Sequence, residues 1–245
     1  MIPAERQERI QAYLEQNEVG RIQTMVDELG ISLSTLRRDL RDMAERGEVQ
    51  LLRGGAIRLH SANIELNLDA KMLMNYAEKE RIARYAATLV VDGDVLFLDP
   101  SSANSLLIDF LGDKNVTVVT NSIAHINKLT KLGLSCILIG GQIKRATSSC
   151  IGPVAEQALH DLFFNHCFLG ANGMSVKQGL TNHDMRERNI KRIAIANAAK
   201  VTFLIDSSKF DQIAMCRVAE IGEYPIITDR QNEEYDGFDN IIVAP

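Results

Sequence analysis

Residues 22–47 read IQTMVDELGISLSTLRRDLRDMAERG, and this stretch decides the fold of the N-terminal part of the chain. Apolar residues recur at helical spacing up to Leu29, and Gly30 stands where a left-handed helix cap is favoured. Ser32 is a good N-cap for a second helix, so only residues 30–32 separate the two helices. Two helices joined by so short a glycine-containing turn are typical of a helix-turn-helix.

The sequence on either side of this stretch extends the motif. A helical repeat through Leu14 precedes it, and alternating apolar and polar residues on both sides of Gly54-Gly55 predict a β-hairpin after it. A hairpin in this position is the wing of a winged helix. We therefore predict a winged helix-turn-helix domain over residues 1–58.

The second helix of the motif separates apolar from charged residues. At about 100° per residue, its predicted buried stripe comprises Leu33, Leu36, Leu40 and Met43. The outward face and its flanks carry Ser34, Thr35, Arg37, Arg38 and Arg41. Arginine offers a planar fork of donors that matches a guanine edge or a phosphate, and hydroxyls can contact either. We predict that this face enters the major groove of double-stranded DNA and that Arg53 in the wing contacts phosphate or the minor groove.

The charge of the chain is unevenly distributed. The whole chain carries −5 with a pI near 5.6, which disfavours binding of nucleic acid through bulk charge. Residues 31–58, however, hold six arginines against four acidic residues, although Asp39, Asp42 and Glu45 partly neutralise the arginine face. Trp is absent, so an aromatic platform for single strands is not expected. Local basicity of this size favours a sequence-reading module that binds DNA as an oligomer.

The cysteines and the hydropathy of the chain indicate the compartment in which the protein is expected to act. The four cysteines show no CxxC pair and no zinc-ligand spacing, which predicts free thiols in a reducing compartment and no metal site. The N-terminus is charged, and the longest apolar runs are about five residues, which predicts neither a signal peptide nor a membrane span. We therefore expect a cytoplasmic protein that does not bind a membrane.

The second part of the chain follows a different pattern. Residues 59–73 lack sustained periodicity and are predicted to be a linker. From residue 74 to residue 245, near-continuous apolar strands alternate with helices, which indicates an α/β domain with a mostly parallel sheet covered on both faces. The predicted strands are 95–98, 116–120, 136–139, 167–169, 201–205, 225–227 and 240–243, with a helix over about 186–199.

Polar residues follow the predicted strands, and ligands bind at the carboxyl ends of strands in open α/β sheets. Asp99 and Asp206 can accept hydrogen bonds from sugar hydroxyls, and Lys209 can neutralise a phosphate. Serines also stand where helices begin, where free backbone N–H groups favour an anion. The strand ends are Asp99-Pro100-Ser101-Ser102, Thr120-Asn121-Ser122, Gly140-Gly141, Gly170-Ala171-Asn172-Gly173, Asp206-Ser207-Ser208-Lys209 and Thr228-Asp229.

Both parts of the chain resemble DeoR-type bacterial transcriptional regulators. In the first part the resemblance rests on Ser34-Thr35-Leu36-Arg37-Arg38-Asp39-Leu40 with Gly47 and Gly54-Gly55-Ala56. In the second it rests on Glu78-Lys79, Asp92-Gly93-Asp94, Leu98-Asp99, Thr120-Asn121-Ser122, Gly140-Gly141, Gly152-Pro153, Phe168-Leu169-Gly170, Gly179-Leu180-Thr181, Glu187 with Lys191, Asp206-Ser207-Ser208-Lys209-Phe210 and Thr228-Asp229.

The resemblance implies a sensor domain related in fold to ribose-5-phosphate isomerase, with a phosphorylated sugar or related metabolite as effector. Such effectors usually release the regulator from DNA and so derepress a carbohydrate-use operon, and the proteins are commonly homodimers or homotetramers. No cofactor and no catalytic residue are implied. The expected effector-binding residues are Asp99, Ser101, Ser102, Asn104, Thr120, Asn121, Ser122, Gly140, Gly141, Glu187, Lys191, Asp206 and Lys209.

One loop and two single positions depart from the family pattern, which predicts an altered effector or a weakened effector site. The family usually has Asp-x-Gly-Thr-Thr after the first strand of the sensor, whereas this chain has Asp99-Pro100-Ser101-Ser102-Ala103-Asn104. A Cβ at Ser101 is expected to narrow the backbone geometry available for a close phosphate contact. Asn165 stands where Asp is typical, and Asp211 stands where Gly is typical.

Two other classes of function remain open from the sequence. One is a sugar-phosphate isomerase-like enzyme with an accessory winged helix, since Asp99, Glu187, Lys191 and Lys209 are groups that such chemistry could use. Against it, no acid and base are paired at a diagnostic spacing. The other is a winged helix that contacts protein rather than DNA, against which the outward arginines argue.

Overall fold

The chain divides into two compact units, Met1–Met74 and Asn75–Pro245. The structure is a computed structural model, and it describes residues 3–17, 19–45, 49–52, 55–59 and 68–245.

The first unit has the predicted winged helix-turn-helix fold. Gly30 adopts φ 64°, and its N–H caps the preceding helix by donating to the carbonyl of Val26 at 3.1 Å. The three strands form an antiparallel sheet in the order β1-β3-β2. The elements are α1 (Pro3–Asn17), β1 (Gly20–Arg21), α2 (Ile22–Leu29), α3 (Leu33–Glu45), β2 (Val49–Leu52) and β3 (Ala56–Leu59).

The core of this unit lies between the helices and the sheet. Leu33 departs from the prediction: it is 37% exposed and does not belong to the buried stripe of α3. It is the first residue of α3, and this end of the helix extends beyond the core. The buried apolar residues are Ile10, Leu14, Met25, Leu29, Ile31, Leu36, Leu40, Met43, Val49 and Ile57.

The segment predicted to be a linker contains regular structure at both ends. Leu59 is the last residue of β3, and residues 68–73 form the helix α4 (Leu68–Leu73), with Leu68 buried. The predicted linker of residues 59–73 thus begins inside β3 and ends in a short helix. A helix of six residues is too short to produce a recognisable apolar repeat. Residues 60–67 lie outside the described residues.

The second unit is built on a seven-stranded sheet in the order β15-β14-β12-β9-β4-β5-β6, and every pair of neighbours is parallel. This confirms the predicted parallel α/β architecture. Its strands are β4 (Val95–Leu98), β5 (Thr117–Thr120), β6 (Ser135–Leu138), β9 (Phe164–Leu169), β12 (Ala198–Leu204), β14 (Ile226–Thr228) and β15 (Ile241–Val243). Its helices are α5 (Tyr76–Ala87), α6 (Ser102–Leu107), α7 (Ile123–Lys131), α8 (Pro153–His160) and α9 (Met185–Ala196).

Two smaller sheets were not predicted. One is the hairpin β7 (Gln142–Lys144) with β8 (Ser149–Ile151), and the other joins β10 (Gly173–Ser175), β11 (Gly179–Asn182) and β13 (Cys216–Ala219). These strands have three or four residues each, which is too few for a pattern of period two to be distinctive. The predicted helix over 186–199 ends at Ala196, because the chain enters β12 at Ala198.

Apolar side chains cover both faces of the main sheet, with Phe97, Phe168 and Phe203 fully buried. The four cysteines are free thiols; three are buried, and Cys136 on the edge strand β6 is half-buried. Because all seven strands are parallel, their carboxyl ends lie along one edge of the sheet, which we call the carboxyl edge.

Candidate functional site

The outward face of α3 presents cations that have no partner among the described residues. Arg37, Arg38 and Arg41 are exposed, and none of them donates a hydrogen bond to another residue in the described part of the chain. Ser34 is also exposed, and Thr35 is half-buried. The structure therefore places the five predicted α3 residues at the helix surface, with the guanidinium groups in solvent.

Ser32 organises the start of this face. Its Oγ accepts the N–H of Thr35 at 3.3 Å and donates to Thr35 Oγ1 at 2.8 Å, as expected of an N-cap. It also lies 3.2 Å from Ser34 Oγ. Three hydroxyls therefore cluster at the N-terminal end of α3, where the helix dipole favours an approaching phosphate.

Asp39 does not belong to the arginine face, although the sequence predicted that it partly neutralises that face. Its side chain is 2% exposed and accepts two hydrogen bonds from Arg6 of α1, from Nε at 2.7 Å and from Nη2 at 2.9 Å. Asp39 and Arg6 lie 33 positions apart, so helical periodicity could not reveal their pairing. The pair fixes α3 against α1 and leaves the charge of the exposed arginines uncompensated by Asp39.

The wing is present as the hairpin β2–β3. Gly55 in its turn has φ 75°, a conformation that favours glycine. Arg53, predicted to contact DNA from the wing, lies outside the described residues, as does Gly54.

In the second unit, a buried ion pair occupies the centre of the carboxyl edge. Asp99 follows β4 and pairs with Lys191 of α9, whose Nζ also donates to the carbonyl of Gly170 at 2.8 Å. Burial raises the pKa of Asp99, but the charge and hydrogen bonds of Lys191 outweigh it and hold that pKa below its ordinary value. Both residues are predicted effector ligands, and in this structure they bind each other.

The other contacts of Asp99 use the rest of its carboxylate. Oδ1 accepts the N–H of Ser101 at 3.1 Å and Asn104 Nδ2 at 2.8 Å, and Oδ2 accepts the N–H of Gly170 at 3.0 Å. Asn104 Nδ2 also lies 2.7 Å from the carbonyl of Phe168. The hydrogen bonds of Asp99 therefore hold the loop after β4 against the end of β9.

Ser101 is the N-cap of α6 and needs no glycine-only conformation. Its φ of −78° and ψ of 151° are ordinary extended values, and its Oγ accepts the N–H of Asn104 at 3.3 Å. A Cβ on Gly170 would lie 2.5 Å from the Cβ of Ser101. Gly170 thus provides the space for the side chain that replaces the family's glycine, and the buried Ser102 follows as the first residue of α6.

The end of β5 contributes buried polar groups with free hydrogen-bonding capacity. Thr120 Oγ1 donates to the carbonyl of Leu98 at 2.6 Å and accepts the N–H of Ser122 at 3.0 Å. Asn121 Nδ2 donates to the carbonyl of Cys150 at 2.9 Å, which ties the hairpin β7–β8 to this strand end.

His125, in the first turn of α7, was missed by the sequence prediction. It is fully buried, and its Nδ1 lies 3.4 Å from Thr120 Oγ1. Burial lowers its pKa to about 4, so the imidazole is neutral at neutral pH. A single histidine in an otherwise unremarkable helix gave no sequence signal, since a buried histidine is normally a core residue.

The hairpin β7–β8 and α9 enclose a second buried carboxylate. Glu187 Oε1 accepts from Thr147 Oγ1 at 2.7 Å and lies 3.3 Å from Lys144 Nζ, while Oε2 accepts from Asn182 Nδ2 at 3.1 Å. Lys144 Nζ also lies 3.5 Å from Asp184. Glu187, a predicted effector ligand, is therefore already paired. Its three partners, Thr147, Lys144 and Asn182, were not predicted as site residues.

The two glycines after β6 have different roles. A Cβ on Gly141, at φ 154°, would lie 2.9 Å from the carbonyl oxygen of Ile151 and 3.0 Å from the Cβ of Ala155, so this position requires glycine for packing. Gly140 has open space around it. Only Gly140 of this pair has room beside its Cα for a ligand.

The strand ends at β12 and β14 are linked to each other. Asp206 Oδ1 accepts the N–H and the hydroxyl of Ser208, and Asp229 accepts the N–H of Ser207 at 2.6 Å and its hydroxyl at 2.9 Å. Burial raises the pKa of Asp206, but the nearby charges of Lys209 and Lys79 hold it below its ordinary value.

Lys209 differs from the other lysines of the carboxyl edge. It is half-buried, and its Nζ makes no hydrogen bond or ion pair with the residues that the structure describes. Lys144 and Lys191 are both paired with carboxylates. Lys209 is therefore the cation of this edge that is best placed to meet an anionic ligand.

Of the departures from the family pattern, Asn165 lies away from the carboxyl edge and Asp211 lies in a turn. Asn165 stands at the start of β9, at the opposite edge of the sheet, where its Oδ1 accepts the N–H of Val95 at 2.8 Å. Asp211 has φ 58°, a left-handed conformation that explains why glycine is usual there, and its carboxylate lies 2.8 Å from the hydroxyl of Tyr235. Asn165 therefore has no part in altering an effector site.

The chemistry available at the carboxyl edge is that of neutral hydrogen-bonding groups. Its carboxylates already accept hydrogen bonds or ion pairs from protein groups, and no group of three or more His, Cys, Asp or Glu side chains within the described ranges could hold a metal ion. In those ranges, the buried polar side-chain atoms without a partner are Asn104 Oδ1, Asn121 Oδ1, Ser122 Oγ, His125 Nε2, Asn182 Oδ1, Arg188 Nε and Thr228 Oγ1. Most of these can bind the hydroxyls of a polyol, with Lys209 available for a negative charge.

Comparisons with known proteins match both units. Residues 6–62 match the DeoR-like helix-turn-helix domain, and residues 74–230 match the DeoR C terminal sensor domain. The uncharacterized HTH-type transcriptional regulator FruR of Bacillus subtilis is 35% identical over 240 residues, which cover 97% of this chain and 96% of that protein. The HTH-type transcriptional regulator GlpR of Haloferax volcanii is 31% identical over 231 residues, 94% of this chain and 91% of that protein.

A lactose phosphotransferase system repressor of Staphylococcus epidermidis is 31% identical over 229 residues, 89% of each chain. Among solved structures, ribose 5-phosphate isomerase A of Methanocaldococcus jannaschii aligns with 56% of each chain at 20% identity and a TM-score of 0.43.

The sequence relatives are named as regulators and not as enzymes, in agreement with the expectation that the chain has no catalytic function. No helix within the described residues is long and apolar enough to cross a membrane. The two matched domains cover most of the chain in the order that the sequence predicts, and the chain belongs to the DeoR family of DNA-binding transcriptional regulators.

Proposed function

We propose that this regulator represses a carbohydrate-use operon and that a phosphorylated sugar bound at the carboxyl edge releases it from its operator. The observation that carries the proposal is the face of α3, where Arg37, Arg38 and Arg41 are solvated and unpartnered within the described chain. Cations in this state can replace the counterions of DNA phosphates or bind guanine edges. A relative named for repression of the lactose phosphotransferase system supports a role in sugar metabolism.

The proposed site of the effector is the carboxyl edge, with the phosphate near Lys209 and the sugar hydroxyls near the unpartnered amide and hydroxyl groups. Asp99, Glu187 and Lys191 hold this edge in shape, because their charges are already satisfied by protein groups. Ser102, Asn104, Asn121 and Ser122 are proposed to contact the ligand, as are Thr120, Gly140 and Asp206.

The protein is further proposed to act in the cytoplasm as a homodimer or homotetramer. One α3 helix reads only a few base pairs, and two-fold assembly would present a second one to the adjacent half-site. Arg53 of the wing is proposed to add a phosphate or minor-groove contact.

DNA binding is tested with a duplex recovered by in vitro selection from random sequences. The Arg37→Ala, Arg38→Ala and Arg41→Ala variants are expected to bind this duplex more weakly than wild type in fluorescence anisotropy at fixed salt. Arg230→Ala, which removes an exposed arginine of the second unit, is the matched control and should bind like wild type. Undiminished binding by all three α3 variants would contradict the proposed DNA-binding face.

Effector binding is tested by thermal shift against a panel of phosphorylated sugars and their unphosphorylated counterparts. A ligand present at 100 times its Kd should stabilise the protein by about 2.7 kcal/mol, which is readily measured. Lys209→Ala is expected to abolish the shift and the release from DNA while operator binding persists. An unaltered induction curve would remove Lys209 from the effector site.

A further inference from the structure

Asn75 has an unusual conformation at an unusual place in the chain. It is the first residue of the second unit and directly precedes α5, and it adopts φ 50° and ψ 43° although it is not glycine. Left-handed torsions are uncommon for residues other than glycine, and asparagine adopts them most readily when a hydrogen bond of its side chain supports them. The support is not a helix cap, because the Asn75 side chain makes no capping bond to α5.

The side chain of Asn75 instead reaches the carboxyl edge of the sheet. Its Nδ2 donates to Asp206 Oδ1 at 3.0 Å, across 131 positions of sequence. The same oxygen accepts both donors of Ser208, so three donors share it. Asn75 is thereby bonded to the short loop that carries Lys209, the unpaired cation among the described residues of this edge.

The helix α5 is joined to this edge at a second point as well. Arg81 Nη2 donates to the carbonyl of Asp229 at 3.2 Å, and Ser207 connects Asp229 to the loop of Asp206. The loop, the end of β14 and the first turns of α5 thus form one hydrogen-bonded group. A ligand that moves the loop acts on α5 through contacts that already exist.

We propose that Asn75 couples the effector site to the segment that joins the two units. When the loop of Lys209 binds an anion, Asn75 loses its hydrogen bond to Asp206. This inference rests on the proposed function, which places the effector's phosphate at Lys209. Movement of Lys209 toward the phosphate draws the loop with it and removes Oδ1 of Asp206 from Asn75. Without this bond the left-handed torsion loses its support, and the backbone changes at the junction of residues 74 and 75.

This change is transmitted covalently, because residue 74 connects to α4 (Leu68–Leu73) and so to the DNA-binding unit. By linkage, whatever weakens operator binding when the effector binds also weakens effector binding when the operator is bound. The residue type fits this role. Asparagine tolerates left-handed torsions and also supplies an amide donor, whereas glycine supplies only the torsion, and aspartate would place a second carboxylate against Asp206.

The inference is tested on the full chain without any ligand, using the operator duplex selected by the wild-type protein. Asn75→Asp breaks the contact by charge repulsion and is expected to weaken operator binding by at least about five-fold, within the usual range of coupling between sites. Asn127→Asp makes the same chemical change at an exposed position of α7 and is the matched control, which should bind the operator within about two-fold of wild type.

Hydrogen exchange provides an independent report on the contact. The amide of Lys79 donates to the carbonyl of Asn75 at 3.0 Å, and its exchange should accelerate in Asn75→Asp and stay as in wild type in Asn127→Asp. Should Asn75→Asp fail to fold, Asn75→Gly removes the side chain while permitting the torsion, and it should also weaken operator binding.

The outcomes separate this inference from the proposed function. Wild-type binding with accelerated Lys79 exchange in Asn75→Asp would show that the contact does not reach the DNA-binding unit and would overturn the inference alone. Operator binding by Asn127→Asp as weak as that of Asn75→Asp would also overturn it, because an added negative charge alone would then account for the loss. If the wild-type protein selected no duplex, the proposed function would fail first, and this inference would fail with it.

Discussion

The face of α3 and the carboxyl edge of the parallel sheet differ in how they hold charge. On α3, Arg37, Arg38 and Arg41 point into solvent without protein partners in the described chain. At the carboxyl edge, Asp99 and Lys191 are both buried and bound to each other. A surface for DNA needs solvated cations, because binding exchanges their counterions for phosphates. A buried site instead requires compensated charges, since removing an unpaired charge from water is costly.

Charged residues that cannot be told apart by residue type in the sequence therefore have different roles in the structure. The paired charges of the carboxyl edge build the site, and its neutral amides, hydroxyls and imidazole are left to meet the ligand. The exposed charges of α3 contribute little to stability and are left to meet DNA. Substitutions should therefore separate into those that unfold the protein and those that change only binding.

The largest effect is expected for Lys191→Met. It leaves Asp99 buried without its cation, and breaking a buried pair in this way costs about 3–5 kcal/mol. The free energy of unfolding, measured by urea denaturation of the second unit's transition, should fall by that amount.

The matched variant pairs Lys191→Met with Asp99→Asn, which removes both charges and should recover part of the loss, because the new amide cannot accept the N–H of Gly170 as Oδ2 does. Lys209→Ala, which removes a half-buried lysine of the same edge, should change the free energy of unfolding by less than about 1 kcal/mol. A loss as large for Lys209→Ala as for Lys191→Met would break the distinction between paired and unpaired lysines.

The next effect is a dependence of stability on pH caused by buried neutral histidines. Burial lowers the pKa values of His125 and His166 to about 4, against 6.5 for an unperturbed histidine. Between these values the unfolded chain binds protons that the folded chain does not, so the free energy of unfolding falls as pH drops from about 6.5 to about 4. His125 contributes a slope of about 1.4 kcal/mol per pH unit, or roughly 3 kcal/mol in total.

Urea denaturation at several pH values checks this prediction. His125→Leu should flatten the slope by about 1.4 kcal/mol per pH unit and leave the part due to His166. An unchanged slope in His125→Leu would mean that this imidazole is protonated in the folded protein and that the carboxyl edge carries an additional charge.

A smaller effect is expected for Arg38→Ala, and it concerns binding rather than folding. A bidentate base contact would make it cost about 1–3 kcal/mol of operator affinity, with relaxed preference at one base pair. A phosphate contact would instead lower the salt slope of log Kd by about 1. Either way, the free energy of unfolding should change by less than about 0.5 kcal/mol.

Arg6→Ala sharpens this prediction from the opposite side. Arg6 binds Asp39 inside the protein, so its loss should weaken operator binding through misplacement of α3 while the salt slope stays as in wild type. A reduced salt slope in Arg6→Ala would mean that Arg6 itself contacts phosphate.

The smallest effect is expected at the cap of α6. Ser101→Ala removes the oxygen that accepts the N–H of Asn104 and should cost about 1 kcal/mol, whereas Ser101→Gly should cost only a few tenths. Thermal denaturation of the two variants beside wild type checks the order. Equal losses for alanine and glycine would contradict the capping role.

The sequence predicted those features that depend on neighbouring positions. The helix, turn and helix around Gly30 and the apolar strands of the sheet are visible in local periodicity, and the structure contains them. Local patterns also placed polar residues at the strand ends. Since parallel strands share one edge, that placement was enough to assign Asp99 and Asp206 to the same edge of the sheet.

The pairing of these residues was not predictable, because no local pattern states which distant side chains meet. Asp99 and Lys191 lie 92 positions apart, and Asp39 and Arg6 lie 33 apart, so both pairs depend on tertiary packing. Helical geometry alone assigned Leu33 to the core, although the first residue of a helix can extend beyond it. The hairpin β7–β8 was missed for the related reason that its strands are too short to show a period.

The contacts of Tyr235 show that the second unit extends beyond the residues that match the family. The family match ends at residue 230, yet the hydroxyl of Tyr235 lies 3.0 Å from the carbonyl of Met174 and 2.8 Å from the carboxylate of Asp211. The residues after 230 also supply the edge strand β15. A sensor fragment cut at the family boundary would therefore lose a strand and the anchor of the turn after Lys209, so a fragment meant for ligand screening should extend through residue 245.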